Sequence, residues 1–336
     1  LVDRIEVNPY LCQGGGSCTT VCPSGAIRYL YPSLRDNGKR MRDMLTVYRE
    51  QGGSNPIILF HSESYSPEMY LQHYDNLLPL EVEELGGVGM DLCLSALAYG
   101  AIQVVLHVDE QVPQSTRASL AAQVEWSEAL LVGLGMDRAC ITLCAADAAP
   151  PEVESPQNVE MAIHDVPPGK RNAIFQALDH LVASLNPSLG QVDLPVPAPF
   201  GEATIDAEKC TLCMACVGSC PGRALQDGSN REVPEVFFIE SNCLQCGACV
   251  QTCPEDAISL QPRLLFNQET RNRARPLNQD IPFACISCGK PFAPTSVINR
   301  MQEKLKDHHM FGSARALDRL KMCDNCRVVD VVQDPE

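Results

Sequence analysis

The segments CTLCMACVGSCPGRAL (210–225) and CLQCGACVQTCPEDAI (243–258) decide the reading of this chain. Cys210, Cys213, Cys216 and Cys220 recur as Cys243, Cys246, Cys249 and Cys253, and a proline, Pro221 or Pro254, follows each fourth cysteine. Three thiols two residues apart curl the chain around one centre. The fourth stands before a residue that cannot continue a helix, so it has left that loop. These eight belong to a total of 18 cysteines in 336 residues. In a small secreted domain so many would suggest disulfides. The N-terminal LVDRIEVNPY, however, has neither the basic segment nor the apolar core of an export signal. Thiols in tight CxxC groups are metal ligands in a reducing compartment, so the expected location is the cytoplasm. The chain does not begin with Met, and a longer natural chain is expected.

Charge and composition narrow the function classes. There are 26 Lys and Arg against 42 Asp and Glu, a formal net charge of −16, which argues against nucleic acid as a partner because phosphate binding needs a basic surface. An apolar fraction of 45% excludes a wholly disordered chain. No stretch reaches the ~18 uninterrupted apolar residues of a membrane span; the longest candidate, Leu94–Val108, is broken by Gln103 and His107. No GxSxG, phosphate-binding loop or convincing acid–base pair is present, so a carrier of electrons is expected rather than a catalyst.

The duplicated spacing is the bacterial two-cluster pattern, in which the fourth cysteine ligates the other cluster, and residues 202–262 resemble two-[4Fe–4S] ferredoxin domains. The resemblance implies one cluster on Cys210, Cys213, Cys216 and Cys253, and a second on Cys220, Cys243, Cys246 and Cys249. GRAL (222–225) and EDAI (255–258) match the short turn into a strand that follows such motifs. Zinc would gain nothing from eight ligands at this double spacing.

A third group lies at the N-terminus, Cys12-QGGGS-Cys18-TTV-Cys22-Pro23-SGAI. On the same pattern Gly15 occupies the place of the second cysteine, so residues 1–50 are read as a partial ferredoxin motif. A labile or three-iron cluster, or none, is expected there. The fourth group, Cys285-x2-Cys288-Gly-Lys and Cys323-x2-Cys326 within residues 263–336, is a four-thiolate set suited to zinc or a single iron. Structural zinc is the preferred reading and another iron–sulfur cluster the alternative. The intervening TSVINRMQEKLKDHHMF and SARALDRLK have a helical pattern, and His308 and His309 are read as surface residues. Residues 263–327 hold twelve Lys or Arg against six Asp or Glu, a local +6 that leaves −22 elsewhere. The arginines of RNRARP (271–276) are read as a solvated face, with an anionic surface as the alternative.

Residues 55–185 read as α/β. NPIILF, LLPLEV, AIQVVLHV and ACITLCAA are short apolar runs of the kind that form buried parallel strands. GMDLCLSALAYG and STRASLAAQVEWSEALLVGLG between them carry helical periodicity, with Ser115 as N-cap of the longer helix. KRNAIFQALDHLVASL (170–185) is expected as an amphipathic helix on the sheet. LGGVGMD (85–91) is not GxGxxG and is read as a tight strand-to-helix turn that binds no nicotinamide. Cys93, Cys140 and Cys144 are read as core residues. Residues 186–201, with four prolines, form a semi-rigid linker. The fold class expected is α+β: a parallel α/β domain flanked by the partial motif and the dicluster domain, then a small four-cysteine metal module.

Taken whole, VNPYLCQGGGSCTTVCPSGAI, LPLEVEELGGVGMDLCLSALAYGA, the dicluster domain and CISCGKPF with CDNCR resemble the multidomain 4Fe–4S proteins found with bacterial molybdenum formate dehydrogenases. The α/β zone also resembles the hydrogenase delta-subunit (MvhD-like) domain. In such relatives the first motif reads CQGCGSC, and Gly15 departs from it. The resemblance implies an electron-transfer subunit serving a redox partner such as a formate dehydrogenase, docked through the α/β domain. The alternative is a docking or maturation factor for a molybdoenzyme, with structural clusters.

Overall fold

The computed structural model describes residues 5–63, 65–145, 148–228 and 233–333. Two compact units divide the chain: Leu1–Val196 with Leu264–Gln268, and Pro197–Arg263 with Glu269–Glu336.

The first unit begins with α1 (Ser17–Val21), α2 (Leu34–Glu50), β1 (Ile57–Ser62), α3 (Glu68–Leu71), β2 (Leu77–Val82), α4 (Met90–Ala98) and β3 (Gln103–Val108). It continues with α5 (Gln114–Gly133), β4 (Ile141–Ala145), α6 (Lys170–Leu185) and β5 (Gln191–Asp193). β1 to β4 form a four-stranded parallel sheet in the order β2-β1-β3-β4. All four apolar runs of the sequence become strands; Ala146, the last residue of the fourth run, lies outside the described residues. β1 and β3 are the inner strands, and each is buried along its first five residues. That is why they read as continuous apolar runs. The outer strands β2 and β4 mix buried with half-exposed positions.

α4 is buried along all nine residues and is covered by α2 and α6, so α6 meets the sheet's helical layer. α2 starts with a capping box, in which the Ser33 hydroxyl accepts from the Asp36 amide and the Asp36 carboxylate accepts from the Ser33 amide, a device worth about 1 kcal/mol. α5 starts earlier than expected: Pro113 is its N-cap and Ser115 lies within its first turn. Proline is favoured at helix starts, where its missing N–H costs nothing. Cys93 in α4, Cys140 in the turn before β4 and Cys144 in β4 are all buried core residues.

The second unit contains β6 (Gly201–Ile205), α7 (Ala215–Gly218), β7 (Leu225–Asp227), β8 (Glu235–Phe238), α8 (Ala248–Thr252) and β9 (Ile258–Leu265). After α9 (Gln268–Asn272) come β10 (Arg275–Gln279), β11 (Pro282–Ala284), β12 (Pro291–Pro294), α10 (Thr295–Leu305), α11 (Ala314–Arg319) and α12 (Asp324–Gln333). Its pairing reflects the sequence repeat. The strand before the first cysteine motif, β6, pairs antiparallel with β9 after the second; β7 after the first pairs antiparallel with β8 before the second. Ala203, Leu212, Leu225, Val236, Phe238 and Ile258 form the core between them. Ion pairs then tie the strands: Arg263 meets Glu202 at 2.5 Å and Glu240 at 2.8 Å, and Arg275 meets Glu202 at 2.7 Å. Much of the local positive charge is therefore paired within the fold. In RNRARP, Arg271 is 1% exposed and Arg275 joins this network, so neither belongs to a solvated face.

Candidate metal centres

The eight cysteines of the duplicated motif fall into two groups. Cys210, Cys213, Cys216 and Cys253 line one cavity, and Cys220, Cys243, Cys246 and Cys249 line another. Each motif therefore sends its Cys-Pro thiol to the other motif's loop. Backbone geometry explains how. Leu212, Met214 and Arg223 take positive φ (55, 61 and 52°), and Gln245, Gly247 and Asp256 do the same (52, 78 and 47°). The first two turns in each motif aim its first three thiols inward; the third releases the chain after the proline. Non-glycine residues rarely hold this left-handed conformation without compensation.

Backbone amides also turn toward the crossed thiols: Ala224 donates to Cys220 Sγ at 3.2 Å and Ala257 to Cys253 Sγ at 3.3 Å. Burial pushes the Cys216 and Cys249 thiols up to about 11, helped by the neighbouring cysteines. A cationic iron core would offset that cost by stabilising the thiolates.

The N-terminal motif repeats this backbone. Gly14, Gly16 and Gly25 take positive φ (75, 74 and 70°) at the three equivalent places, and α1 corresponds to α7 and α8. Burial opposes ionisation of Cys22, but amides of Ile27, Ser24 and Ala26 with the Ser24 hydroxyl outweigh it and lower its pKa. Cys12 and Cys18 are exposed and Cys22 is half-buried. A Cβ at Gly15 would meet nothing within 4 Å. The loop conformation is therefore retained although one thiol is missing.

The glycine cluster 85–91 finds its purpose here. Leu85–Gly87 form the expected tight turn, and α1 lies on it. Thr20 donates its hydroxyl proton to the Gly86 carbonyl, Ser17 and Thr116 hydroxyls lie 2.6 Å apart, and Gly86 sits against the Gly15 carbonyl. Any side chain at 86 would strike that backbone. Lys170, from the start of α6, donates to the Thr19 and Thr20 carbonyls at 2.9 and 2.6 Å, satisfying the C-terminal end of α1. Burial lowers the Lys170 pKa against the pull of Asp91, and burial raises that of Asp91.

The C-terminal set differs in scale. The sulfurs of Cys285, Cys288, Cys323 and Cys326 all lie within 4.8 Å of one another, with Cys288 and Cys323 at 3.7 Å. Among the described residues no other group of metal-ligand atoms is this compact. Cys285 Sγ accepts from the Cys323 amide at 3.3 Å. Burial opposes its ionisation, but this amide and those of Cys288 and Ser287 bring its pKa down to about 6. Gly289, at φ 73°, makes the turn after the first pair. α10 joins this module to the first cluster loop. Ser296 donates to the Thr211 carbonyl at 3.3 Å, and Arg300 and Lys304 hold Glu255 at 2.9 and 2.7 Å.

Two family models match the chain: a 4Fe–4S dicluster domain over residues 209–258 and a 4Fe–4S binding domain over residues 5–28. Both matches are to 4Fe–4S domains, and they support a multi-cluster ferredoxin-like protein with an iron–sulfur electron-transfer role. No curated protein matches the chain. Among the described residues no helix is long and apolar enough to cross a membrane.

Proposed function

We propose that this protein is an electron-relay subunit that carries electrons through two adjacent [4Fe–4S] clusters to or from a redox enzyme of the formate dehydrogenase type. Cys210, Cys213, Cys216 and Cys253 hold one cluster, and Cys243, Cys246, Cys249 and Cys220 the other. The observation that carries this reading is the sorting of eight thiols into two groups of four, each completed by the opposite motif. Two clusters in so small a domain lie close enough to pass electrons directly.

The α/β domain, MvhD-like in its sequence, serves as the docking scaffold, and the protein works in the reducing cytoplasm. In the N-terminal motif Cys12 and Cys18 hold a labile or three-iron centre, and Cys22, the Cys-Pro thiol, serves a neighbouring one. Cys285, Cys288, Cys323 and Cys326 hold structural zinc. A tetrahedral site with Zn–S bonds of ~2.3 Å has sulfurs ~3.8 Å apart, and the 3.7 Å between Cys288 and Cys323 suits that scale.

The test is an anaerobic titration of the dithionite-reduced protein with an oxidised formate dehydrogenase. Stoichiometric reoxidation of both clusters, without turnover of small substrates, is the expected result. If the clusters stay reduced while the proteins form a complex, the relay is refuted and a docking role takes its place.

A further inference from the structure

Beside the N-terminal motif the first unit contains a cavity of about 260 Å³ that the cluster chemistry does not use. Ile27, Leu34, Val82, Val88 and Leu92 give it apolar walls. Six charged residues also line it, Arg28, Arg35, Glu83, Glu84, Asp91 and Lys170, and the last two matter here. Asp91 stands in the first turn of α4 and is 6% exposed, and its Oδ1 is buried without a hydrogen-bond partner. A buried carboxylate oxygen left in that state carries a desolvation cost that a ligand donor would relieve. Lys170 has given two of its three protons to the Thr19 and Thr20 carbonyls, which leaves one. Gly89 keeps the space between these groups free of side chain: a Cβ built there would lie 2.6 Å from Asp91 Oδ1 and 3.3 Å from Lys170 Nζ. An acceptor and a donor thus face one small gap beneath an apolar enclosure.

We propose that this cavity binds a small planar heterocycle of one or two rings whose ring N–H donates to Asp91 and whose adjacent carbonyl accepts from Lys170. The lactam edge of an oxopyrimidine or oxopurine base presents that pair of groups side by side. The apolar walls take the two ring faces. Size limits the ligand, because the volume is below the ~300 Å³ at which pockets for drug-sized molecules begin. Charge does not limit it further: Glu83 and Glu84 line the cavity together with Arg28 and Arg35, so both signs are present around it. By size alone, a free base fits the cavity better than a nucleotide.

The experiment is calorimetric titration of the full, cluster-loaded chain with uracil and hypoxanthine, and with the same bases methylated at the ring nitrogen beside the carbonyl. At least one parent base should bind saturably. Its methylated form should bind about tenfold or more weakly, because a site built to hydrogen-bond an N–H leaves its own polar group unpaired when that proton is missing. Asp91→Asn should weaken the parent base to a similar degree. If that variant does not fold, the methylated bases on the unmodified chain still decide the matter. Absence of saturable binding by either parent base overturns the proposal, as does equal affinity for parent and methylated forms. An Asp91→Asn protein that folds and binds as tightly as the unmodified chain also overturns it. None of these readings depends on electron transfer, so the relay stands or falls separately.

Discussion

Replacing Glu240 by alanine should open the dicluster unit without touching a cysteine. Its carboxylate accepts from Arg263 Nε at 2.9 Å and Nη2 at 2.8 Å, and from Arg275 Nη2 at 3.4 Å. The Glu240 side chain is 4% exposed, and the arginines 15% and 34%. Breaking a buried ion pair costs about 3–5 kcal/mol. Glu202 remains, at 2.5 Å from Arg263 and 2.7 Å from Arg275, so the lower end, about 3 kcal/mol, applies. At 1.4 kcal/mol per decade this is roughly a hundredfold shift in the opening equilibrium. Glu240→Gln keeps the shape and one acceptor, and should lose about half as much because neutral hydrogen bonds are about half as strong.

Native-state hydrogen exchange on the cluster-loaded protein reads this directly. Protection of the β8 and β9 amides should fall about a hundredfold in the alanine variant, by the same conversion, while β1 and β3 stay unchanged. Glu240 stands three residues before Cys243, so bleaching of the cluster absorbance should accelerate in parallel. A loss of protection below about threefold would mean that the network behaves as a surface ion pair, worth under about 1 kcal/mol, and would refute the strength ascribed to its burial.

Replacing Cys323 by serine should release the metal of the C-terminal set, which metal analysis reads. It should also make residues 280–330 protease-sensitive while the dicluster absorbance persists, because metal binding and folding are coupled in such modules. Hydrogen bonds from Lys304 and Arg300 hold the Glu255 carboxyl below the usual carboxylate range. The folded-state value is depressed, so the clamp on α10 is fully present above the ordinary carboxylate pKa and is lost as pH falls through the lowered one. Proteolysis within 295–305 should rise only in that acid window, and Glu255→Gln should abolish the pH dependence. Gly15→Cys should increase the iron retained by the N-terminal motif, measured per chain against a Cys12→Ser control. An unchanged iron content would show that the missing thiol is not what limits that site.

Strands and thiol spacing were legible because each depends on local sequence. β1 and β3 are buried, so their apolar runs are unbroken. The crossing of Cys220 and Cys253 between loops follows from a proline and a fixed spacing. Charge was less legible. Arg271 and Arg275 read as a basic surface, yet one is buried and the other pairs with Glu202, 73 positions away. Nothing in a short window announces such a partner. The same holds for Asp91, whose setting depends on Lys170 from a distant helix.

Gly86 is the sharpest case. Its neighbours read as a tight turn, and the turn is there. The physical demand on Gly86, however, comes from the Gly15 carbonyl, 71 positions earlier in the chain. That contact changes the meaning of the N-terminal motif. A motif that had merely lost its function would be free to lose its geometry as well. Here three left-handed turns persist at Gly14, Gly16 and Gly25, the amides still converge on Cys22, and α1 is fixed by Gly86, Thr116 and Lys170. Glycine at 15 removes a ligand without disturbing the loop, since a Cβ there would meet nothing. The α/β domain thus holds the motif in the same loop conformation as the two complete motifs of the second unit, with position 15 the one ligand position of its own loop that lacks a thiol.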